Sequence, residues 1–203
     1  MKKINTKPFI LLLDIDGVIN HGEMFSLRYA KKHGVPLSTL SKFFDGVFQD
    51  CIIGKADLKN ELVHVLKEWQ WEKSVDELLE YWFLDEVKYD QQVLDTIHKL
   101  RRQNVKVYGA SNQEHHRARY LIERTDLKHY IDEFFISAHL GVKKPESHFF
   151  QKILDKLAVA PSKIVYWDDD EKNVECAQRL GIQSHVYKDY TSFTKQIRKY
   201  FPL

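Results

Sequence analysis

Short apolar runs recur along the chain, and each ends abruptly in polar or small residues. The runs at 9–13, 105–110, 133–137 and 163–167 are rich in β-branched or aromatic side chains. They lack the alternation of a half-exposed strand, so they predict strands buried on both faces. Residues 184–187 make a weaker fifth. Between these runs the apolar positions change to helical spacing. Val93, Leu94, Ile97 and Leu100 fall on one helical face, as do Phe149, Phe150, Ile153, Leu154 and Leu157. Gly181 follows Leu180 where a helix stop is expected. This alternation predicts an α/β fold, an open and mostly parallel sheet with helices on both faces.

The alternation fails between residues 21 and 89. No clear strand occurs there, and helical stretches are predicted at 24–33, 56–69 and 75–83. Gly34-Val35-Pro36 punctuates the first, and Ser74 with Glu77 forms a capping box for the third. The chain therefore divides into a core of residues 1–20 and 90–203 and an all-helical insertion of residues 21–89 after the first strand. Its aromatics Phe43, Phe44, Phe48, Trp69, Trp71, Trp82 and Phe83 either line a cavity or, as their helical spacing favours, form the insertion's own core.

Composition narrows the class. The 203 residues are 43% hydrophobic and 30% charged, as expected of a globular protein. The formal net charge is only +2, which gives no large field toward nucleic acid or anionic lipid. The Met1-Lys2-Lys3 start precedes an apolar run of only residues 9–13, too short for a signal peptide or a membrane span. Cys51 and Cys176 fit no metal or redox spacing and read as reduced structural cysteines. The expected location is the cytoplasm.

The candidate chemistry lies at the strand ends. Strand alternation puts Asp14 and Asp16 on one side at the carboxyl end of the first strand. Two carboxylates so close repel unless one is protonated or a cation lies between them; magnesium, which prefers oxygen ligands, satisfies that need. Ser111 and Asn112 follow the second strand, where they either cradle a phosphate oxygen or cap the next helix. Lys144, fixed by Pro145, either offsets charge beside the carboxylates or is merely solvated. Asp168, Asp169, Asp170 and Glu171 end the fourth strand, where a bound cation or a helix N-terminus accounts for them. Each cluster terminates a different predicted strand, so the fold would bring them together.

In that order the motifs resemble the haloacid dehalogenase superfamily. They are Leu13-Asp14-Ile15-Asp16-Gly17-Val18, Ala110-Ser111-Asn112, Lys144-Pro145, and Trp167-Asp168-Asp169 with Asn173-Val174. The resemblance extends from Phe9 to about Ile182. The insertion is similar to the small helical cap of the superfamily's first cap class, on a Rossmann-like core. Ser111-Asn112-Gln113-Glu114 with Arg117, Tyr120 and Leu121 is similar to members related to the amino-terminal phosphatase domain of soluble epoxide hydrolase.

The resemblance implies a magnesium-dependent phosphohydrolase acting on a small phosphorylated metabolite. Asp14 would be the nucleophile, forming an aspartyl phosphate, and Asp16 the general acid and base. Ser111, Asn112 and Lys144 would bind the phosphoryl group. Asp14, Asp169, the Asp16 backbone carbonyl and, in support, Asp168 would hold Mg2+. Asp170 is left to the following helix. Lys55, beside Gly54, is the candidate cap residue for substrate contact, although a solvated lysine is the favoured reading. His115 and His116 read as surface residues. A phosphomutase, a dehalogenase and a non-catalytic binding module are the competing readings; retention of Asp14, Asp16 and Lys144 argues against the last.

Overall fold

A computed structural model describes residues 9–203; the Met1-Lys2-Lys3 start lies outside the described residues. Five parallel strands form one sheet in the order β3-β2-β1-β4-β5. They are β1 (Ile10–Leu13), β2 (Val107–Ser111), β3 (Glu133–Ile136), β4 (Ile164–Asp168) and β5 (Gln183–Val186). β1 lies at the centre, with Leu13 opposite Gly109 of β2 and Trp167 of β4. All five strands thus end at one edge, with the order reversing about β1, the place where ligands of open α/β sheets collect.

Both sheet faces are dry, which explains the unbroken apolar runs. Leu11 and Leu13 pack with Val93, Ile97, Leu100, Phe193 and Ile197 on one side. Leu12 packs with Phe149, Phe150, Ile153 and Tyr166 on the other. The second strand begins two residues later than its apolar run, at Val107, and therefore carries Ser111 as its last residue. The third strand stops at Ile136, because Ser137 opens a short helix, Ser137–Leu140. β5 is a polar edge strand, and its sequence signal was correspondingly faint.

Five helices occupy the insertion: α1 (Phe25–His33), α2 (Leu37–Phe44), α3 (Phe48–Ile52), α4 (Leu58–Val63) and α5 (Val75–Glu86). The expected helices at 24–33 and 75–83 are present, and the capping box of Ser74 and Glu77 is formed. The stretch 56–69 is corrected to the shorter α4, started by the Asp57 side chain on the Lys59 and Asn60 amides. Its continuation folds into turns, which lets the Trp69 carbonyl accept a bond from Tyr29 Oη. Helices α2 and α3 were not anticipated; they are short and separated by Asp45-Gly46-Val47.

These helices have an apolar cluster of their own. Phe43, Trp69, Trp82 and Phe83 are buried in it, with Phe44, Phe48 and Trp71 partly buried against it. Two crossings join the insertion to the sheet, and they are paired. The His21 amide donates to the Lys88 carbonyl and the Asp90 amide to the Ile19 carbonyl. No helix among the described residues is long and apolar enough to cross a membrane.

Candidate active site

The strand-end clusters converge on one cavity of about 760 Å³. It is lined by Asp14, Asp16, Ser111, Asn112, Lys144, Asp169 and Asn173, among others. Lys144 is buried at its base, with Nζ 2.8 Å from Asp14 Oδ1 and 2.6 Å from Asp168 Oδ2. Burying an ammonium would ordinarily favour its neutral form, but the two carboxylates hold its pKa above the usual lysine value.

Asp14 and Asp16 share a loop but not an environment. Burial lifts the Asp14 carboxyl well above the ordinary range; Lys144 opposes that lift, and the charges of Asp168 and Asp16 add to it. Asp14 Oδ1 accepts a bond from the Ile15 amide in addition to the lysine. Asp16 meets a different set of donors. Asn20 Nδ2 (2.7 Å) and Arg117 Nη2 (3.0 Å) bond to its Oδ1, and Gln113 Nε2 (2.6 Å) bonds to its Oδ2. Burial pushes Asp16 upward, but the Arg117 charge and these bonds outweigh it and hold the carboxyl below its usual value.

One carboxylate oxygen each from Asp14, Asp168 and Asp169 lie within 4.8 Å of one another. One lysine among three carboxylates leaves net negative charge, which a divalent cation would offset. The donors are all oxygen, a set suited to magnesium. Asn173, which also lines the cavity, keeps a buried Oδ1 without a partner. These residues therefore fit a magnesium ion. Within the set, Asp168 is the most committed. Its Oδ2 accepts from Lys144 and Tyr166, and its Oδ1 from the Asp170 amide and Asn173 Nδ2. Asp14 and Asp169 are the freer pair. The Asp169 carboxylate lies directly over Gly17, whose φ is +85°; a Cβ there would come 2.2 Å from Asp169 Cγ. Asp170 caps the next helix through the Lys172 amide, as expected, and takes no part in this cluster.

Ser111 is buried at the end of β2, where its Oγ accepts a bond from Gln113 Nε2. Glu114, not Ser111 or Asn112, caps the helix His115–Glu123. Asn112 lines the cavity, and its side-chain amide also holds the Lys144 loop. Nδ2 donates to the Lys144 carbonyl and Oδ1 accepts from its amide, both at 2.9 Å. Lys55 stands apart from this cavity. It is exposed and lines no part of the cavity, because Gly54 docks against the core, where a Cβ would come 2.5 Å from the Ala138 carbonyl oxygen. His115 and His116 are not free surface residues. His115 stacks on His139, and His116 Nε2 is 2.9 Å from Asp57 Oδ2 across the junction with the helical insertion.

Four further residues complete the site. Arg117 is buried and bonds Asp16, Gln113 Oε1 and Glu86 Oε2. Glu86 Oε1 accepts the Phe25 amide at the start of α1. Asn20 links Asp16 to the Glu86 carbonyl and the Lys88 amide. Gln113 links Asp16 to Ser111. The Arg117 stretch carries a family likeness in the sequence, but helical spacing alone gave these polar residues no role.

The family model of the haloacid dehalogenase-like hydrolases matches residues 12–187. A phosphorylated carbohydrates phosphatase of Thermotoga maritima is 23% identical over 182 residues, covering 85% of this chain and 82% of that protein. Drimenol cyclase DrtB of Aspergillus calidoustus is 28% identical over 108 residues, or 53% of this chain, and the match spans only 20% of that longer protein. Among solved structures, a family enzyme from Bacteroides thetaiotaomicron, in complex with magnesium and inorganic phosphate, superposes with a TM-score of 0.78. It is 20% identical, with 92% of this chain and 99% of that one covered. With its motifs gathered at one sheet edge and matched across nearly the whole sequence, the chain belongs to the haloacid dehalogenase-like hydrolase family.

Proposed function

We propose that the protein is a magnesium-dependent phosphohydrolase that cleaves phosphate monoesters through an aspartyl phosphate at Asp14. The observation that carries this reading is the division between the two aspartates. Asp14 is buried against Lys144 and faces the acidic cluster, whereas Asp16 is held separately by Arg117, Asn20 and Gln113. Two carboxylates in unlike surroundings suit a nucleophile and a separate proton carrier. The similarity to a phosphorylated carbohydrates phosphatase supports ester hydrolysis.

A carboxylate oxygen of Asp14 attacks phosphorus, and the bond from phosphorus to the leaving oxygen breaks. Asp16 supplies the proton that the departing alkoxide takes up. Its three donors keep it ionised at rest, and the approach of a negative phosphate favours the proton uptake it needs. Asp16 then takes a proton from water as the water oxygen attacks the phosphoryl group, releasing Asp14 and phosphate. Ser111 Oγ and Lys144 Nζ hold the phosphoryl oxygens, and Lys144 balances charge between Asp14 and the ester. Magnesium held by Asp14, Asp169 and the Asp16 carbonyl, with Asp168 orienting Lys144, would offset the charge of the phosphoryl group in transfer.

The helical insertion 21–89 acts as the cap over this site, on a core of 1–20 and 90–203. Mass spectrometry of protein quenched during turnover tests the covalent step. A phosphoryl group on the peptide containing Asp14 is expected, and its absence during rapid phosphate release would exclude the mechanism.

A further inference from the structure

A second cavity of about 420 Å³ opens beside the first and shares Asp16, Met24, Glu86, Asn112 and Arg117 with it. Beyond these shared residues its character changes. Leu27 and Leu37 from α1 and α2 line it with Phe44, Phe48 and Trp82 from the insertion's aromatic cluster. Met24, Leu27 and Leu37 are 64%, 48% and 43% exposed, and they are half of the six large apolar side chains most open to solvent among the described residues. Exposed apolar area gathered in one groove marks a binding surface.

The polar groups of this groove are largely spoken for. Asn112 is closed on Lys144, Gln113 on Asp16, Ser111 and Arg117, and Arg117 on Asp16 and Glu86. Gln49 donates to the Phe44 carbonyl and accepts from Lys143 Nζ. Ser26, Ser41 and Asp45 remain uncommitted. A polyhydroxylated leaving group would lay its hydroxyls against Phe44, Phe48 and Trp82 with too few partners, which carries a desolvation cost. A hydrocarbon would not.

Building on the phosphohydrolase reading, we infer that this groove receives the leaving group, and that it selects a flexible aliphatic chain over a sugar. Asp16 stands on the shared wall, so a chain lying in the groove starts at the oxygen that must be protonated.

The test is kcat/KM, with magnesium present, for n-alkyl monophosphates from methyl to decyl, beside glucose 6-phosphate. Each methylene buried should raise kcat/KM about threefold to fourfold until the groove is full, and glucose 6-phosphate should fall below the longer alkyl esters. Leu37→Glu and Leu27→Gln, both on exposed positions, should flatten that slope. Calorimetry with the non-hydrolysable n-alkylphosphonates provides an independent readout. Affinity rising with chain length supports the groove, and a flat series overturns it, whether or not esters are cleaved. Chain-dependent binding without turnover of any ester would instead overturn the phosphohydrolase reading and leave the groove standing. An unchanged slope in both leucine variants, or preference for the sugar phosphate, overturns the assignment.

Discussion

Arg117 Nη2 lies 3.0 Å from Asp16 Oδ1, so the helix that follows the second strand holds the aspartate that follows the first. The same guanidinium bonds Glu86, at the end of α5, which also accepts the amide that starts α1. One buried cation thus connects Asp16 to both ends of the helical insertion.

Replacing that guanidinium fork should be costly. Arg117→Met leaves Glu86 buried without its cation and Asp16 without its strongest donor. Losing one partner of a buried ion pair costs ~3–5 kcal/mol; Asp16 is half open to the cavity, so the lower end applies. For a chain of this size that is a Tm fall of about 10 °C. Arg117→Lys cannot reproduce the fork and should recover stability more than turnover. Thermal unfolding and kcat, measured on both variants, check this.

Gly17→Ala should damage metal binding more than folding. The new Cβ would meet the Asp169 carboxylate, and the left-handed φ disfavours any side chain. Asp169 must then move from its place beside Asp14. The magnesium concentration giving half-maximal activity should rise at least tenfold, on the order of 1.4 kcal/mol. A normal magnesium titration would contradict Asp169 as a ligand.

Chelation should stop hydrolysis, and added magnesium should restore it. Calcium should restore little, because it takes more ligands at longer distances. Magnesium should also protect the fold, since a ligand bound only by the native state adds about 2.7 kcal/mol at a hundred times its Kd. In Asp14→Asn turnover should vanish while the protein stays folded, because Lys144 keeps Asp168 as its partner. Calorimetric scans with and without magnesium test both statements.

Lys55→Ala should leave kcat/KM unchanged for alkyl and sugar esters alike. The side chain is exposed and outside both cavities, so its loss removes nothing from the site. A changed substrate ranking in this variant would show that the Gly54 turn leaves its dock on Ala138 during catalysis.

The legible and illegible parts of this molecule differ for a physical reason. Parallel strands buried on both faces announce themselves as apolar runs, and their common direction brings Asp14, Ser111 and Asp168 to one edge. Order along the chain is then enough to predict their convergence. Asn20, Glu86, Gln113 and Arg117 carry no such periodic mark. Beside their local bonds, Arg117 meets Glu86 and Asp16 across 31 and 101 residues of sequence, and only packing determines those partners. The same holds for Lys55: a glycine turn can face the site or the core, and nothing local decides which. Helices α2 and α3 escaped because each is too short for its apolar spacing to stand out.

Asn20 gives the sharpest test of the link between the paired crossings and Asp16. It is buried, and its side chain makes three bonds at once: to Asp16 Oδ1 at 2.7 Å, the Glu86 carbonyl at 2.9 Å and the Lys88 amide at 2.7 Å. The last two lie on the returning crossing of the chain. Asn20→Ala would leave these two backbone groups without partners, at about 1–3 kcal/mol each, and would release one donor from Asp16. Asn20→Asp keeps an acceptor for the Lys88 amide but sets a second negative charge beside Asp16, so it should unfold later than the alanine variant while turning over no faster. Because Asn20 bonds Asp16 but does not itself line the groove, kcat should fall by a similar factor for short and long alkyl esters. The slope of kcat/KM with chain length should stay as in the wild type. Unfolding temperatures and the alkyl phosphate series, measured on both variants, decide the matter. A slope that collapses with Asn20→Ala would mean that this residue shapes the groove, not Asp16.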